Sequence, residues 1–188
     1  LSSKSSFKLI LNKKFKIKDY KLHSNINFND MYLNLKNIEL KNYIKGFDNK
    51  IILKDGEINL SLDNKSKINV KLNSNYLLDK DDNHKSILFN FSKIKKKENY
   101  NLKKELIENE IYFEQFNFLK NKDDKFLLEA NASSEKDIYE INNLKFYNDK
   151  NKFIFNNIKF TKNFKIQDFK SIEANYLNKD NFTNDILI

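Results

Sequence analysis

The chain has no cysteine, no proline, no tryptophan and no arginine, and only two glycines, Gly46 and Gly56. Each absence removes a class of function. Without cysteine there is no disulfide framework, no thiolate nucleophile and no cysteine metal site. Without arginine there is none of the planar, bidentate recognition of phosphate and guanine on which nucleic-acid readers depend. Two glycines are too few for a phosphate-cradling loop. No apolar run exceeds three residues, as in Ile51-Ile52-Leu53, so no segment has the length to cross a membrane as a helix.

What is present is equally biased. There are 35 lysines and 32 asparagines among 188 residues, with a net charge of +9. Lys, Asn, Ile, Phe and Tyr all have A/T-rich codons, so the bias reads first as genomic drift and only second as physics. The charge is dispersed among Asn and apolar residues, and the one compact basic run, Lys93, Lys95, Lys96 and Lys97, reads as a solvated turn. A weak general attraction to anionic surfaces follows, without a nucleic-acid site. The 17 Phe and 9 Tyr, spread along the whole length, distinguish the chain from a disordered one and require burial.

The dominant pattern is period two. Phe7, Leu9 and Leu11 alternate with polar neighbours, as do Tyr20 to Phe28, Leu33 and Leu35, Ile38 and Leu40, Ile58 to Leu62, Ile68 to Leu72, Ile87 to Phe91, Phe126 to Ala132, and Ile172 to Tyr176. Such alternation places the apolar side chains on one face of a pleated strand. Lys54-Asp55-Gly56-Glu57 predicts a tight hairpin, because Asp-Gly supplies positive φ. Polar clusters at 63–66, 79–85, 121–125, 133–137 and 148–152 predict further hairpin ends. About ten to twelve strands result, joined by short loops in a meander. Residues 101–113 admit a short helix near Leu102–Leu106, and Ile107 to Phe118 reads as strand. Asn142-Asn143-Leu144-Lys145-Phe146 recurs as Asn156-Asn157-Ile158-Lys159-Phe160, the length of one strand and its turn.

No catalytic residues emerge, and neither a cofactor nor a metal is expected. His84, beside Asp79, Asp81 and Asp82, fails the EF-hand template, which requires Gly and Glu where His84 and Asn90 stand. His23 alternates onto the polar face, and Asp123-Asp124 reads as turn chemistry. The expectation is therefore a binding or bridging protein rather than an enzyme.

A sheet with one apolar face needs a cover. The fold class is all-β: a long antiparallel meander over residues 1–188, one β-rich fragment of a longer protein, forming an extended, curled, groove-like sheet, with a β-sandwich as the alternative. The start at Leu1 and the ending Asp185-Ile186-Leu187-Ile188 are the reasons for expecting a fragment. Scarce Gly and Pro, and the same grammar in strand after strand, favour the groove over a closed core. Its lining in the C-terminal half is expected at Phe126, Leu128, Ala130, Phe153, Phe155, Ile172 and Ala174, residues that serve equally well as an ordinary core.

The strings Phe164-Lys165-Ile166-Gln167-Asp168-Phe169-Lys170-Ser171-Ile172-Glu173-Ala174-Asn175-Tyr176, Ile141 to Phe146, and Phe15 to Leu22 resemble the periplasmic β-repeat region of AsmA-like proteins, the YhdP-like and TamB-like group. YhdP-like members from A/T-rich marine alphaproteobacteria are the most similar in style. The resemblance implies a protein tethered to the inner membrane of a Gram-negative bacterium by an anchor outside this chain. Its β-rich body would cross the periplasm and carry phospholipid toward the outer membrane, maintaining that membrane's barrier. Phospholipid or other acyl chains are then the expected partners, and nucleic acid is not. The alternatives are a β-jellyroll component resembling those of lipopolysaccharide export, and a structural or adhesive surface β-domain.

Overall fold

A computed structural model describes residues 1–34, 50–78, 85–107, 110–136, 138–161 and 166–188. The alternation translates directly into strands: β1 (Ser2–Leu11), β2 (Ile17–Asn34), β3 (Lys50–Asp63), β4 (Lys67–Leu78), β5 (Lys85–Ile94) and β6 (Lys97–Leu106). After a small excursion, β7 (Ile111–Phe113) and β8 (Phe118–Lys120), come β9 (Phe126–Glu135), β10 (Ile138–Tyr147), β11 (Lys152–Phe160), β12 (Ile166–Asp168), β13 (Ser171–Leu177) and β14 (Thr183–Leu187). Twelve of them form one antiparallel sheet in the order β1-β2-β3-β4-β5-β6-β9-β10-β11-β13-β14, with β12 also on β11. Spatial order follows chain order, as a meander requires. The sheet is open, with β1 and β14 as its edges.

The expected turns at 63–66 and 148–152 are present. Asp63 Oδ1 accepts the backbone N–H groups of Lys65 and Lys67 (2.9 and 3.1 Å), and Asn148 Oδ1 accepts those of Lys150 and Asn151 (3.0 and 2.7 Å). The basic run turns between β5 and β6, with Lys95 at φ 55° and Lys95, Lys96 and Lys97 exposed. Leu35, Ile38, Leu40, Gly46, the acidic turn at 79–83 and His84 lie outside the described residues.

Two expectations are corrected. Residues 54–57 are not a hairpin. β3 runs through them, because Ile51–Leu53 and Ile58–Leu62 both pair with β2, opposite Met31–Leu33 and Leu22–Ile26. Only Asp55 takes positive φ (47°), and a tight hairpin needs two such residues. Asp55 and Gly56 form a bulge against β4 instead, where the register shifts between Lys54 and Glu57. The buried Ser74 hydroxyl donates to the Lys54 carbonyl (2.8 Å) and ties the bulge down. Leu102–Leu106 is strand rather than helix, since Leu102, Lys104 and Leu106 alternate on one face of β6 between β5 and β9.

The bulge reverses side-chain parity. Above it Ile58 and Leu60 face the apolar side, and below it Leu53 does, packed with Phe28 and Tyr76. β10 and β11 repeat the device. Asn143 pairs with Asn156 and Ile141 with Ile158, while Asn142 and Asn157 (φ 51°) fall outside the ladder. The fourteen-residue echo in the sequence is therefore a pair of facing double asparagines, joined where Asn143 Nδ2 donates to Asn156 Oδ1 (2.7 Å).

Candidate functional site: the apolar face and its aromatic cover

Register places the seven expected lining residues on one face. Leu128, Phe146, Phe153, Ala174 and Ile186 stand side by side across β9, β10, β11, β13 and β14. Ala130, Leu144, Phe155 and Ile172 form the adjacent row, and Phe126 ends its strand opposite Leu106. They divide by exposure. Phe126, Phe153 and Ala174 are buried, whereas Leu128, Ala130, Phe155 and Ile172 are half-buried.

The cause of the division is the chain's own excursion between β6 and β9. Ile107 to Phe118 was expected as one strand, but β7 gives way to a 3-10 turn at Glu114–Phe116, and Asn117 in the left-handed conformation (φ 47°) starts β8. The resulting hairpin lies on the apolar face. Phe118 stacks edge-on against Phe153 (4.8 Å between ring centres), Phe116 against Phe153 and Tyr176 (5.4 and 5.9 Å), and Phe113 against Phe146 (5.4 Å). Beneath them Phe126 and Phe146 stack at 4.4 Å. Edge-to-face pairs of this kind contribute about 0.5–1.5 kcal/mol each beyond their area. The tip is pinned to the β13–β14 turn, where Asn117 Nδ2 donates to Asp180 Oδ2 (2.9 Å) and the Lys179 N–H donates to the Asn117 carbonyl (3.0 Å).

Away from the hairpin the face continues. Ile26, Ile58, Leu72, Phe89, Leu102, Ala130, Leu144, Phe155 and Ile172 form one unbroken row across nine strands, every member apolar and half-buried. Among the described residues, the only strands outside the large sheet are those of the hairpin.

Charge interrupts the face at two places. Lys104 stands between Ile87 and Leu128, in the row that continues through Phe146, Phe153 and Ala174, with its Nζ 4.2 Å from the centre of the Tyr76 ring. Burial, and then the nearby Lys85, push the Lys104 amine down to about 8. Tyr76 is wholly buried, its hydroxyl donates to the Glu105 carbonyl (2.6 Å), and burial pushes its hydroxyl well above the usual phenol pKa, so that it stays protonated. Lys120, from the hairpin, is also fully buried, and desolvation lowers its amine to about 8 against the pull of Asp124. At the other place Glu98 accepts from Lys93 Nζ (2.5 Å), Tyr100 (2.5 Å) and Ser134 (3.2 Å), and those hydrogen bonds, led by Lys93, hold its carboxyl near 2.

Sequence alone does not mark the cover and these charges as parts of the site. Phe113, Phe116 and Phe118 read as strand positions, and their departure from the sheet has no local signature beyond the turn cluster at 121–125. Lys104 did carry a signal, since it is in phase with Leu102 and Leu106. His23 is exposed on the polar face as expected, and Asp123 and Asp124 lie in the turn after β8, where Asp124 Oδ2 accepts the Asn121 N–H (3.0 Å). Among the described residues no three His, Asp or Glu side chains gather as a metal site, and no helix is long and apolar enough to cross a membrane. No family model, curated protein or solved structure matches this chain.

Proposed function

We propose that the chain is a lipid-contacting β-segment whose apolar face accommodates the acyl chains of phospholipid. The observation that carries this reading is the nine-residue apolar row from Ile26 to Ile172, which crosses nine strands half-buried. Nine half-exposed aliphatic and aromatic positions in line offer hydrocarbon a continuous path, and burying such a row releases about 25 cal/mol for each Å² of apolar surface removed from water. The curled, groove-like form of the sheet, the periplasmic setting, the inner-membrane tether, the role in the outer-membrane barrier and kinship with AsmA-like proteins belong to the same proposal. The resemblance in sequence style supports them. In this reading the Phe113–Phe116–Phe118 hairpin stops the path at its C-terminal end, and acyl chains occupy the stretch from Ile58 to Leu102.

Native mass spectrometry of gently extracted protein, combined with photo-crosslinking by a diazirine-bearing phospholipid, tests the reading. Stoichiometric phospholipid and labelling of peptides containing Leu72, Phe89 and Leu102 are expected. Lipid-free protein without labelling on that row overturns it.

A second reading is a structural β-spacer, and one observation favours it. Phe126, Phe153 and Ala174 are sealed by the chain's own hairpin, as in a closed core. Lipid-free protein with a single cooperative melt is its expected signature.

A further inference from the structure

The opposite face carries rows of a different kind. Lys4, Asn25, Asn59, Lys71, Asn90, Asn101, Asn131, Asn143, Asn156 and Ser171 stand side by side across ten strands. Two residues along each strand, a second row runs through His23, Ser61, Asn69 and Ser92. Between the two rows, over β1 to β6, lies an open recess of about 610 Å³. It belongs to the polar face: eleven of its sixteen lining residues stand in these two rows, and the other five, Ser5, Ser24, Leu60, Val70 and Phe91, are the strand positions between them.

Two properties of this recess point to a ligand. Its ionisable lining groups are Lys4, Lys71 and His23, with no carboxylate among them. Carboxylates stand in the neighbouring rows and are engaged there: Glu57 accepts from Asn25, Asp63 from the backbone N–H groups of Lys65 and Lys67, and Glu129 from Lys103. Its polar groups are also unevenly satisfied. Asn69 donates to Ser61 Oγ (3.1 Å) and Asn25 to Asn59 Oδ1 (3.2 Å), whereas the side chains of Lys71, Asn90 and Asn101 make no hydrogen bond or ion pair among the described residues. Each free amide offers two donors and an acceptor, and the ammonium offers three donors, all aimed at one side of the sheet.

Strands repeat every ~4.8 Å, so a chain molecule lying across them meets a new amide, hydroxyl or ammonium at that interval. Sugar hydroxyls both donate and accept, as Asn and Ser side chains do, and an anionic substituent gains a charge-assisted bond from Lys71 or Lys4. We propose that this recess binds an acidic oligosaccharide, one carrying carboxylate, sulfate or phosphate groups, laid across β2 to β6. The site is on the face opposite the apolar row and does not depend on the lipid reading.

Isothermal titration of the full chain with a heparin-derived hexasaccharide, and with maltohexaose as the neutral comparison, tests the proposal. The acidic hexasaccharide is expected to bind and the neutral one to bind at least tenfold more weakly. The double variant Lys71→Ala, Asn90→Ala should weaken binding at least tenfold with an unchanged melting temperature. Lys145→Ala, on the same face but outside the recess, should leave binding unchanged. Absence of binding, equal binding of the neutral sugar, equal loss in Lys145→Ala, or an oligonucleotide of the same charge binding as tightly would each overturn the proposal.

Discussion

The ring of Phe28 lies where a side chain at Gly56 would be. The two residues are partners in the β2–β3 ladder, and a Cβ built on Gly56 would fall 2.1 Å from Phe28 Cζ. The glycine is thus required by contact with its cross-strand neighbour rather than by a turn. The ring in turn covers the backbone that glycine leaves bare at the bulge, and Phe28, Leu53 and Tyr76 make the buried core of this half of the sheet.

Gly56→Ala should therefore destabilise the chain by about 1–3 kcal/mol, the usual cost of overpacking. Phe28→Ala should cost about 3–5 kcal/mol through the cavity it leaves. Because the two side chains compete for one volume, the double variant should lose less than the sum of the single losses. Urea unfolding of all four proteins measures this coupling.

Lys104 gives the stability a pH dependence. Its amine, lowered to about 8 in the folded chain against an ordinary 10.5, holds fewer protons folded than unfolded between those values. Stability from this group therefore rises with pH from about 8, and buried Lys120 acts in the same direction. The rise should be read below about pH 10, where tyrosines ionise in the unfolded chain and reverse the slope. Lys104→Met should flatten the dependence of the urea midpoint between pH 8 and 10.

Glu98 works at the acid end. Its carboxyl, held near 2 chiefly by Lys93, contributes stability that is complete above about pH 4.5 and is lost as pH falls toward 2. Glu98→Gln should be less stable than the parent at pH 7 by up to about 1 kcal/mol, the range of partly exposed ion pairs. The two proteins should converge near pH 2, as thermal melts across that range will show.

Asn157 tests the second bulge. It holds φ 51° in mid-strand, a conformation that costs most L-residues about 1–2 kcal/mol and that β-branched side chains tolerate worst. Asn157→Val should lower the unfolding free energy by about that amount, while Asn157→Gly should be neutral or slightly stabilising. Melting temperatures of the two variants give the comparison.

The sequence made the large sheet legible because period-two alternation is a direct image of a one-faced strand. Alternation alone puts Phe126, Leu128 and Ala130 on one face, and Phe153 with Phe155. What misled was chemistry that serves two purposes. Asp-Gly at 55–56 has the composition of a hairpin, and only the long-range pairing of both flanks with β2 reveals a bulge. Asn142-Asn143 and Asn156-Asn157 looked like a repeat because each strand needs an extra residue at the same level. The aromatic hairpin was hidden for another reason. Phe113, Phe116 and Phe118 obey strand grammar, and their destination on top of the sheet depends on Phe146, Phe153 and Tyr176, which lie thirty or more residues away.

The sequential order of the strands also governs how the molecule bears load. Nearly all contacts of a strand are with the one or two strands it is bonded to, so tension applied across the sheet at β1 and β14 reaches the ladders one rung at a time. Such a sheet peels from its margins at low force and re-zips when released. Peeling from the β14 side should pause once β13 is reached, where Tyr176 is clasped by Phe116 and Phe153 and the aromatic knot must come apart as a unit.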